Sequence, residues 1–228
     1  MNLYIKKQQK KNDVYAMYKY ALILKERNIE NAAYYFKKAA DNDYADAMVN
    51  YASILSYGDG IIITAKSAVK YYRKAIDKGS TEAMNKYASM LYNGNGIIAN
   101  KKDAAYYFKL SADKGNIDSM NIYANMLLQG DGIDINKEEA AKYYKMAADK
   151  GNKEAMNKYA SMLENGDGIE MNKEESVKYY DMAINFTVFP TNNYIIKVGE
   201  NKEMSFKSKQ DIIEYFDNTI QNDLDAMY

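Results

Sequence analysis

The sequence repeats itself at a step of 36 residues, and this periodicity restricts the fold more than any other feature of the chain. The phrase Tyr-Ala-Ser-Met-Leu-Glu-Asn-Gly-Asp-Gly-Ile at 159–169 has counterparts that begin at Tyr51, Tyr87 and Tyr123. A tandem repeat of this length indicates a solenoid in which each unit buries its apolar face only against its neighbours. The sequence therefore predicts a stack of similar units, none of which folds alone.

Each unit is predicted to contain two helices, A and B, joined by a Gly-x-Gly turn. In one unit, Ser80 offers an N-cap for helix A, and Asn100 offers one for helix B with Asp103 at the third position. Gly94 stands where the chain leaves helix A with positive φ, and Gly96 lets the chain turn back. So short a turn requires helix A to pack antiparallel to helix B.

An aromatic pair recurs in helix B with the same period, and a small residue follows it four positions later. The pairs are Tyr35-Phe36, Tyr71-Tyr72, Tyr107-Phe108, Tyr143-Tyr144 and Tyr179-Tyr180. Phosphorylation sites and stacking platforms are alternative interpretations. Helical spacing in every unit favours packing within and between the units instead.

The repeats are predicted to extend over 13–185 as about five helix pairs, after a flexible basic tail at 1–12. The first pair is shortened, because Tyr20 lies only 31 residues before Tyr51 and no Gly-x-Gly turn separates its helices. A terminal unit that packs on one side only tolerates such a change.

The segment 186–228 is predicted to be a divergent repeat. It contains the only proline, Pro190, in an aromatic and β-branched cluster that ends the preceding helix. We expect either a degenerate helix A or an extended excursion at 193–207, and a further helix B at 209–221. The last residues resemble the opening of helix A, which indicates that the chain stops inside another repeat.

Composition excludes several classes of function. Lys+Arg and Asp+Glu both number 31, so no net charge favours nucleic acid or an anionic membrane as a partner. His and Cys are absent, which removes the usual metal ligands, the thiol nucleophile and the usual general base. We therefore predict a non-catalytic protein with no metal and no cofactor; an intrinsic hydrolase is the weakest interpretation.

The sequence shows neither a signal peptide nor a transmembrane segment. No apolar core of signal-peptide length follows the basic start, and no uncharged run approaches the roughly 20 residues that span a bilayer. These observations predict a cytoplasmic location. The cluster from Lys6 to Lys11 is interpreted as a solvated tail, with contact to RNA or lipid headgroups as the alternative.

The repeated phrases Tyr-Ala-x-Met/Ile-Leu-x-x-Gly-x-Gly-Ile and Ala-x-x-Tyr-Tyr-x-x-Ala-Ala resemble the Sel-one-like repeat family, close kin of tetratricopeptide repeats. Tyr-Ala replaces the family's Leu-Gly, Tyr or Phe replaces its Trp, and Ile replaces its Val. The resemblance covers 13–185 well and 186–228 weakly. It implies an all-α, right-handed superhelical solenoid of antiparallel helix pairs, and members that act as adaptors in protein complexes.

Two recurring motifs have catalytic or ligand-binding alternatives. The Gly-Asp-Gly turns do not match a calcium-binding loop, because Leu163 and Leu127 occupy the first ligand position. The Gly-x-Gly pairs do not match a nucleotide-phosphate loop, because they follow a helix instead of a strand. Acidic pairs at 138–139 and 174–175 suggest a glycosidase. They lie in first turns of helices, where the helix dipole favours carboxylates, so a structural role is the better interpretation.

The resemblance to tetratricopeptide repeats implies that helix A lines a concave groove. Residues two before, two after and five after each key tyrosine are then expected to face a partner, which we predict to be a segment of another protein. The asparagine row at 85, 121 and 157 suits an extended backbone, because carboxamides both donate and accept hydrogen bonds; duplication and coding bias are the alternative explanation of that row. The predicted partner-facing residues are Val49, Ser53, Ser56, Asn85, Ser89, Tyr92, Asn121, Asn125, Leu128, Asn157, Ser161 and Glu164.

The sequence thus predicts a protein-interaction scaffold. The alternative is the regulatory repeat array of a larger signalling enzyme, such as a protein kinase, whose catalytic domain lies outside this chain.

Overall fold

The computed structural model of the protein describes residues 14–57, 64–188, 194–197 and 203–206. These residues contain ten α-helices and one two-stranded sheet. Two compact units are present, Met1–Tyr179 and Tyr180–Tyr228, and the boundary falls inside the last helix. The helices are α1 (14–24), α2 (Ile29–Asp41), α3 (Ala45–Tyr57), α4 (Ala65–Asp77), α5 (Thr81–Asn93), α6 (Lys101–Asp113), α7 (Ile117–Gln129), α8 (Lys137–Asp149), α9 (Lys153–Asn165) and α10 (Lys173–Val188). Odd-numbered helices are the A helices, and even-numbered helices are the B helices.

The predicted caps set the helix ends, and each helix from α2 to α9 contains 13 residues. At the start of α6, the Asn100 side chain accepts a hydrogen bond from the Asp103 backbone N–H at 3.1 Å. Asn136 caps α8 in the same way at 3.0 Å. Gly94 ends α5 in the left-handed conformation with φ 70°, which a residue without Cβ adopts at no steric cost.

Aromatic contacts hold helix A against helix B in each regular unit. The key tyrosine of helix A meets the first aromatic of the following helix B edge to face, with ring centroids 4.8–5.0 Å apart. The second aromatic of the pair is fully buried in the first four pairs, for example at Phe108 and Tyr144, and Tyr180 of the fifth pair is half-buried. This confirms that the recurring pairs pack the core.

The second glycine of each described turn docks on the preceding unit. A Cβ built on Gly96 would lie 2.6 Å from the Ala65 Cβ, and one built on Gly132 would lie 2.6 Å from the Lys101 Cβ. Glycine is therefore required for contact as well as for conformation. An ion pair between Lys101 Nζ and Asp131 Oδ1, at 2.7 Å, closes the same contact.

The second unit contains an antiparallel hairpin in which Tyr194–Lys197 pairs with Glu203–Phe206. The described part of 193–207 is therefore extended, as one of the two interpretations had it. The all-α solenoid is confirmed for the repeats, and this hairpin departs from it. The predicted tail at 1–12, the helix at 209–221 and the partial repeat at the end lie outside the described residues.

Candidate functional site

An open cleft of about 530 Å³ crosses the A helices of three successive units. We call it the A-helix cleft. Helices α5, α7 and α9 form its walls, and the buried ring of Phe108 from α6 belongs to its lining. The lining residues are Ser89, Tyr92, Asn93, Phe108, Ile122, Asn125, Met126, Gln129, Glu154 and Lys158.

Helix α7 contributes the central strip of the cleft. Ile122, Asn125, Met126 and Gln129 recur at intervals of three and four residues, so they share one face of the helix. Ile122 and Asn125 are half-buried and Gln129 is exposed. The strip therefore offers an apolar edge together with amide groups.

Tyr92 is held at the edge of the cleft by a carboxylate from the next turn. Its hydroxyl donates to Asp131 Oδ2 at 2.5 Å, and Lys101 Nζ lies 5.1 Å from the ring centroid. The hydrogen bond to Asp131, together with burial, raises the pKa of Tyr92. The bonds from Lys101 and Tyr92 lower the pKa of Asp131, so the carboxylate stays charged at neutral pH.

A second polar group of the lining is fixed by the helix B beneath it. Asn125 Oδ1 accepts a hydrogen bond from the Tyr144 hydroxyl at 2.7 Å. At the equivalent position two units earlier, Ser53 Oγ lies 3.0 Å from the Tyr72 hydroxyl. Where helix B instead has Phe108, the equivalent Ser89 donates to its own helix, to the Asn85 carbonyl at 3.0 Å.

Two of the three asparagines of the predicted row bond the next A helix, whereas the third, Asn157, is exposed. Asn85 Nδ2 donates to Ser119 Oγ at 2.7 Å. Asn121 Nδ2 donates to Glu154 Oε2 at 2.9 Å, and Asn121 is only 6% exposed. These carboxamides are occupied by the next helix and do not form a ladder for a peptide backbone.

The remaining predicted residues are spread over several environments. Val49 is buried at 1% exposure, so it offers no surface to a partner. Ser53, Ser56, Leu128 and Ser161 are half-buried, whereas Asn157 and Glu164 are exposed. Of the residues predicted to face a partner, the structure brings Ser89, Tyr92 and Asn125 together in the A-helix cleft.

The cleft follows a row that the sequence prediction missed by one position. Ile122 and Lys158 stand one residue before the key tyrosine, and Asn93 and Gln129 stand six after it. One residue rotates a helix by about 100°, which is enough to turn the row two before the tyrosine toward the next A helix. The packing of the helices buries the polar Asn121 and leaves the apolar Ile122 half-buried, which the residue types alone do not indicate.

The motifs with ligand-binding or catalytic alternatives have structural partners. The Glu138 carboxylate pairs with Lys142 at 2.8 Å, and Glu139 pairs with Lys109 at 3.0 Å. The described residues contain no cluster of three or more potential metal ligands. None of the helices in the described ranges is both long enough and apolar enough to cross a membrane.

The fold and its register define the chain as an α-solenoid built from helix pairs. The Sel1 repeat family model matches residues 14–44, 45–80, 81–116, 117–152 and 153–185. The chain therefore belongs to the Sel1 repeat family, which confirms the resemblance of its repeated phrases.

Solved structures share this fold. A Sel1 repeat protein from Oxalobacter formigenes matches with a TM-score of 0.69 at 25% identity, over 77% of this chain and 74% of that protein. A protective antigen of uropathogenic Escherichia coli displaying an SLR fold has a TM-score of 0.72 at 21% identity and covers 77% of this chain, which spans 39% of that protein. An immunity protein from Pseudomonas aeruginosa has a TM-score of 0.50 at 19% identity, over 76% of this chain and 66% of that protein. A comparison with curated proteins finds no match.

Proposed function

We propose that this protein is a non-catalytic interaction scaffold whose A-helix cleft binds a segment of another protein. Sel1 repeat proteins are commonly protein-interaction scaffolds and are typically non-catalytic. The observation that carries the proposal is the open cleft across α5, α7 and α9, with its lining of aromatic, amide and charged groups.

The dimensions of the cleft suit an extended segment. Packed helices lie about 8–10 Å apart, so three A helices span about 20 Å. An extended chain rises about 3.3 Å per residue, and roughly six residues of a partner therefore cross the cleft. A site of this length favours a peptide segment over a small metabolite.

The chemistry of the lining also suits a peptide. Gln129 and Asn93 are exposed, and a carboxamide can both donate to and accept from a peptide backbone. Asn93 Nδ2 also donates to the Ser89 carbonyl at 3.0 Å, which fixes this side chain at the edge of the cleft. Glu154 and Lys158 place opposite charges on the α9 side of the cleft. Tyr92 is already held by Asp131, so little side-chain entropy is lost when a partner packs against its ring.

The test uses a cleft variant and a chemically matched control. The cleft variant combines Ile122→Glu with Lys158→Glu, and the control combines Ile98→Glu with Lys102→Glu outside the cleft. Each is immobilised beside the wild-type chain and exposed to lysate of the source organism. Thermal unfolding by circular dichroism checks that all three chains are folded.

A protein captured by the wild-type chain and the control, but lost from the cleft variant, is the expected result. Equal capture by all three chains would move the binding surface away from the cleft. Capture of nothing above the level of empty beads would contradict the scaffold itself. Alanine at Asn85 and Asn121 is a poor test, because these side chains bond the A helices to each other.

A further inference from the structure

The first A helix exposes the face that every later A helix buries against the preceding unit. Ile23 is 60% exposed. Its equivalents, three residues after each key tyrosine, are 2–4% exposed: Ile54, Met90, Met126 and Met162. Tyr20 is 48% exposed, whereas its equivalent Tyr51 is half-buried and Tyr87, Tyr123 and Tyr159 are 4–7% exposed.

Contacts inside the solenoid show what covers these positions. Ser56 Oγ of one A helix lies 3.9 Å from Met90 Sδ of the next. Arg73 of the preceding helix B reaches the Tyr87 hydroxyl at 3.2 Å. The equivalence of Tyr20 is supported by its edge-to-face contact with Tyr35 at 4.9 Å, the same contact that the later key tyrosines make.

A third position belongs to the same face. Ala16 is exposed, whereas Ala47, Ala83, Ser119 and Ala155 are fully buried. We define the leading face as Ala16, Tyr20 and Ile23. A unit that caps a solenoid carries a polar outer face for solubility, and the leading face instead keeps the apolar residue types of the interior.

The opposite end of the repeats exposes the complementary face. Val177 is 57% exposed, whereas the equivalent Val69 is half-buried and Ala33, Ala105 and Ala141 are at most 5% exposed. Asn157 is exposed, whereas the equivalent Asn121 is buried and bonds the next A helix. We define the trailing face as Asn157 and Val177.

We propose that the leading face of one copy of this chain docks on the trailing face of a second copy. Both faces use repeat positions that are largely buried between successive units within the chain, so a second copy can supply a neighbour for each of them. Such contact is heterologous, since different surfaces meet, and repeated contacts of this kind build either a closed ring or an open filament. Association therefore grows with concentration, and each copy uses both of its faces.

Sedimentation velocity of the full chain over a wide concentration range measures this association. The wild-type chain is expected to show a mean sedimentation coefficient that rises with concentration. Ile23→Glu and Val177→Glu each remove one face and are each expected to stay monomeric when alone. Ile98→Glu is the matched control, because Ile98 is 92% exposed and lies in a turn; it is expected to associate like the wild type.

Mixing the two single-face variants gives the decisive result. Ile23→Glu retains a trailing face and Val177→Glu retains a leading face, so an equimolar mixture is expected to form heterodimers and nothing larger. A wild-type chain that remains monomeric, through cover from its own residues or a need for another protein, would overturn the proposal. So would dimers of Val177→Glu alone, since these require like faces to meet, or equal loss of association in Ile98→Glu.

Discussion

The junction between α5 and α7 and the junction between α7 and α9 use the same repeat positions but are closed by different chemistry. In the first, Asn85 Nδ2 donates to the buried Ser119 hydroxyl at 2.7 Å. In the second, Asn121 Nδ2 donates to the exposed Glu154 carboxylate at 2.9 Å. The Asn121 Oδ1 atom is buried and has no hydrogen-bond partner among the described residues.

One substitution between repeats accounts for the difference. Ser119 of α7 has Ala155 as its equivalent in α9, so the hydroxyl that meets Asn85 is missing opposite Asn121. At the earlier junction the pair is Val49 and Ala83, both buried and apolar. Each junction of a solenoid can therefore be closed by a different pair of residues, because each unit contacts only its neighbours.

The largest loss of stability is expected for Gly132→Ala. Gly132 lies in the Gly-x-Gly turn after α7, and the same kind of turn follows α5 and α9. Its Cβ would lie 2.6–2.9 Å from Lys101 atoms, two of them backbone. Left-handed strain costs about 1–2 kcal/mol, and overpacking adds about 1–3 kcal/mol, so we expect a loss of about 3 kcal/mol in the free energy of unfolding by urea. Gly115→Ala is the control, because its φ is also positive but nothing lies within 4 Å. A loss in Gly115→Ala as large as in Gly132→Ala would contradict the docking role.

The next effect separates the two junctions directly. Asn85→Ala removes a donor from a fully buried serine hydroxyl, and we expect it to cost about 1–3 kcal/mol. Asn121→Ala frees a carboxylate that water can solvate and removes an unpartnered oxygen, so its cost is expected to be below about 1 kcal/mol. Urea unfolding of both variants measures the order, and a larger loss in Asn121→Ala would refute this account.

A gain of about 1 kcal/mol is expected for Ala155→Ser. The new hydroxyl occupies the position of Ser119 and can donate to the unpartnered Asn121 Oδ1. Ala83→Ser is the matched control: it buries the same hydroxyl opposite Val49, which accepts no hydrogen bond, and it is expected to destabilise the chain. Thermal unfolding of both variants decides the point; equal shifts would show that the carboxamide plays no part.

The smallest change in stability near neutral pH is expected for Tyr143→Phe. Tyr143 of α8 contacts residues of α6, the helix B of the preceding unit. The Tyr143 hydroxyl lies 2.8 Å from Lys109 Nζ and donates to Asp113. Burial, and then the bond to Asp113, raise the pKa of Tyr143 to about 12, above its ordinary value of 10.0. The folded state therefore favours the neutral phenol.

The direction of the pH dependence of stability follows from the coupling between protonation of Tyr143 and folding. The contribution of Tyr143 to stability is complete below pH 10 and is lost as the pH rises through about 12. Tyr143→Phe is expected to lose less stability over this window than the wild type, as followed by denaturant midpoints at each pH. Tyr106→Phe, on an exposed side chain, is expected to leave the alkaline loss unchanged. An alkaline loss in Tyr143→Phe equal to that of the wild type would show that this hydroxyl is not responsible.

Local chemistry made most of the fold predictable. Asn100 with Asp103, and Gly94 with Gly96, define helix ends through contacts within a few residues, so they are visible in the sequence. The candidate site was harder to predict. The resemblance to tetratricopeptide repeats predicted that Ser89, Tyr92 and Asn125 face a groove, and all three line the cleft. The prediction missed Ile122, Gln129 and Lys158, because a rotation by one residue decides which row of a helix faces outward.

The sequence by itself determined the repeat, its two helices per unit and the residues that cap and pack them, because these depend on local conformation and on a period that the chain states four times. Tertiary structure decided which polar side chains form hydrogen bonds between units. In the sequence, Asn85 and Asn121 cannot be distinguished from side chains that are available to a partner. Only the structure shows that Asn85 bonds Ser119 and that Asn121 bonds Glu154. The physical reason is that a buried carboxamide takes whichever partner the neighbouring helix places within about 3 Å, and that helix lies more than thirty residues away along the chain.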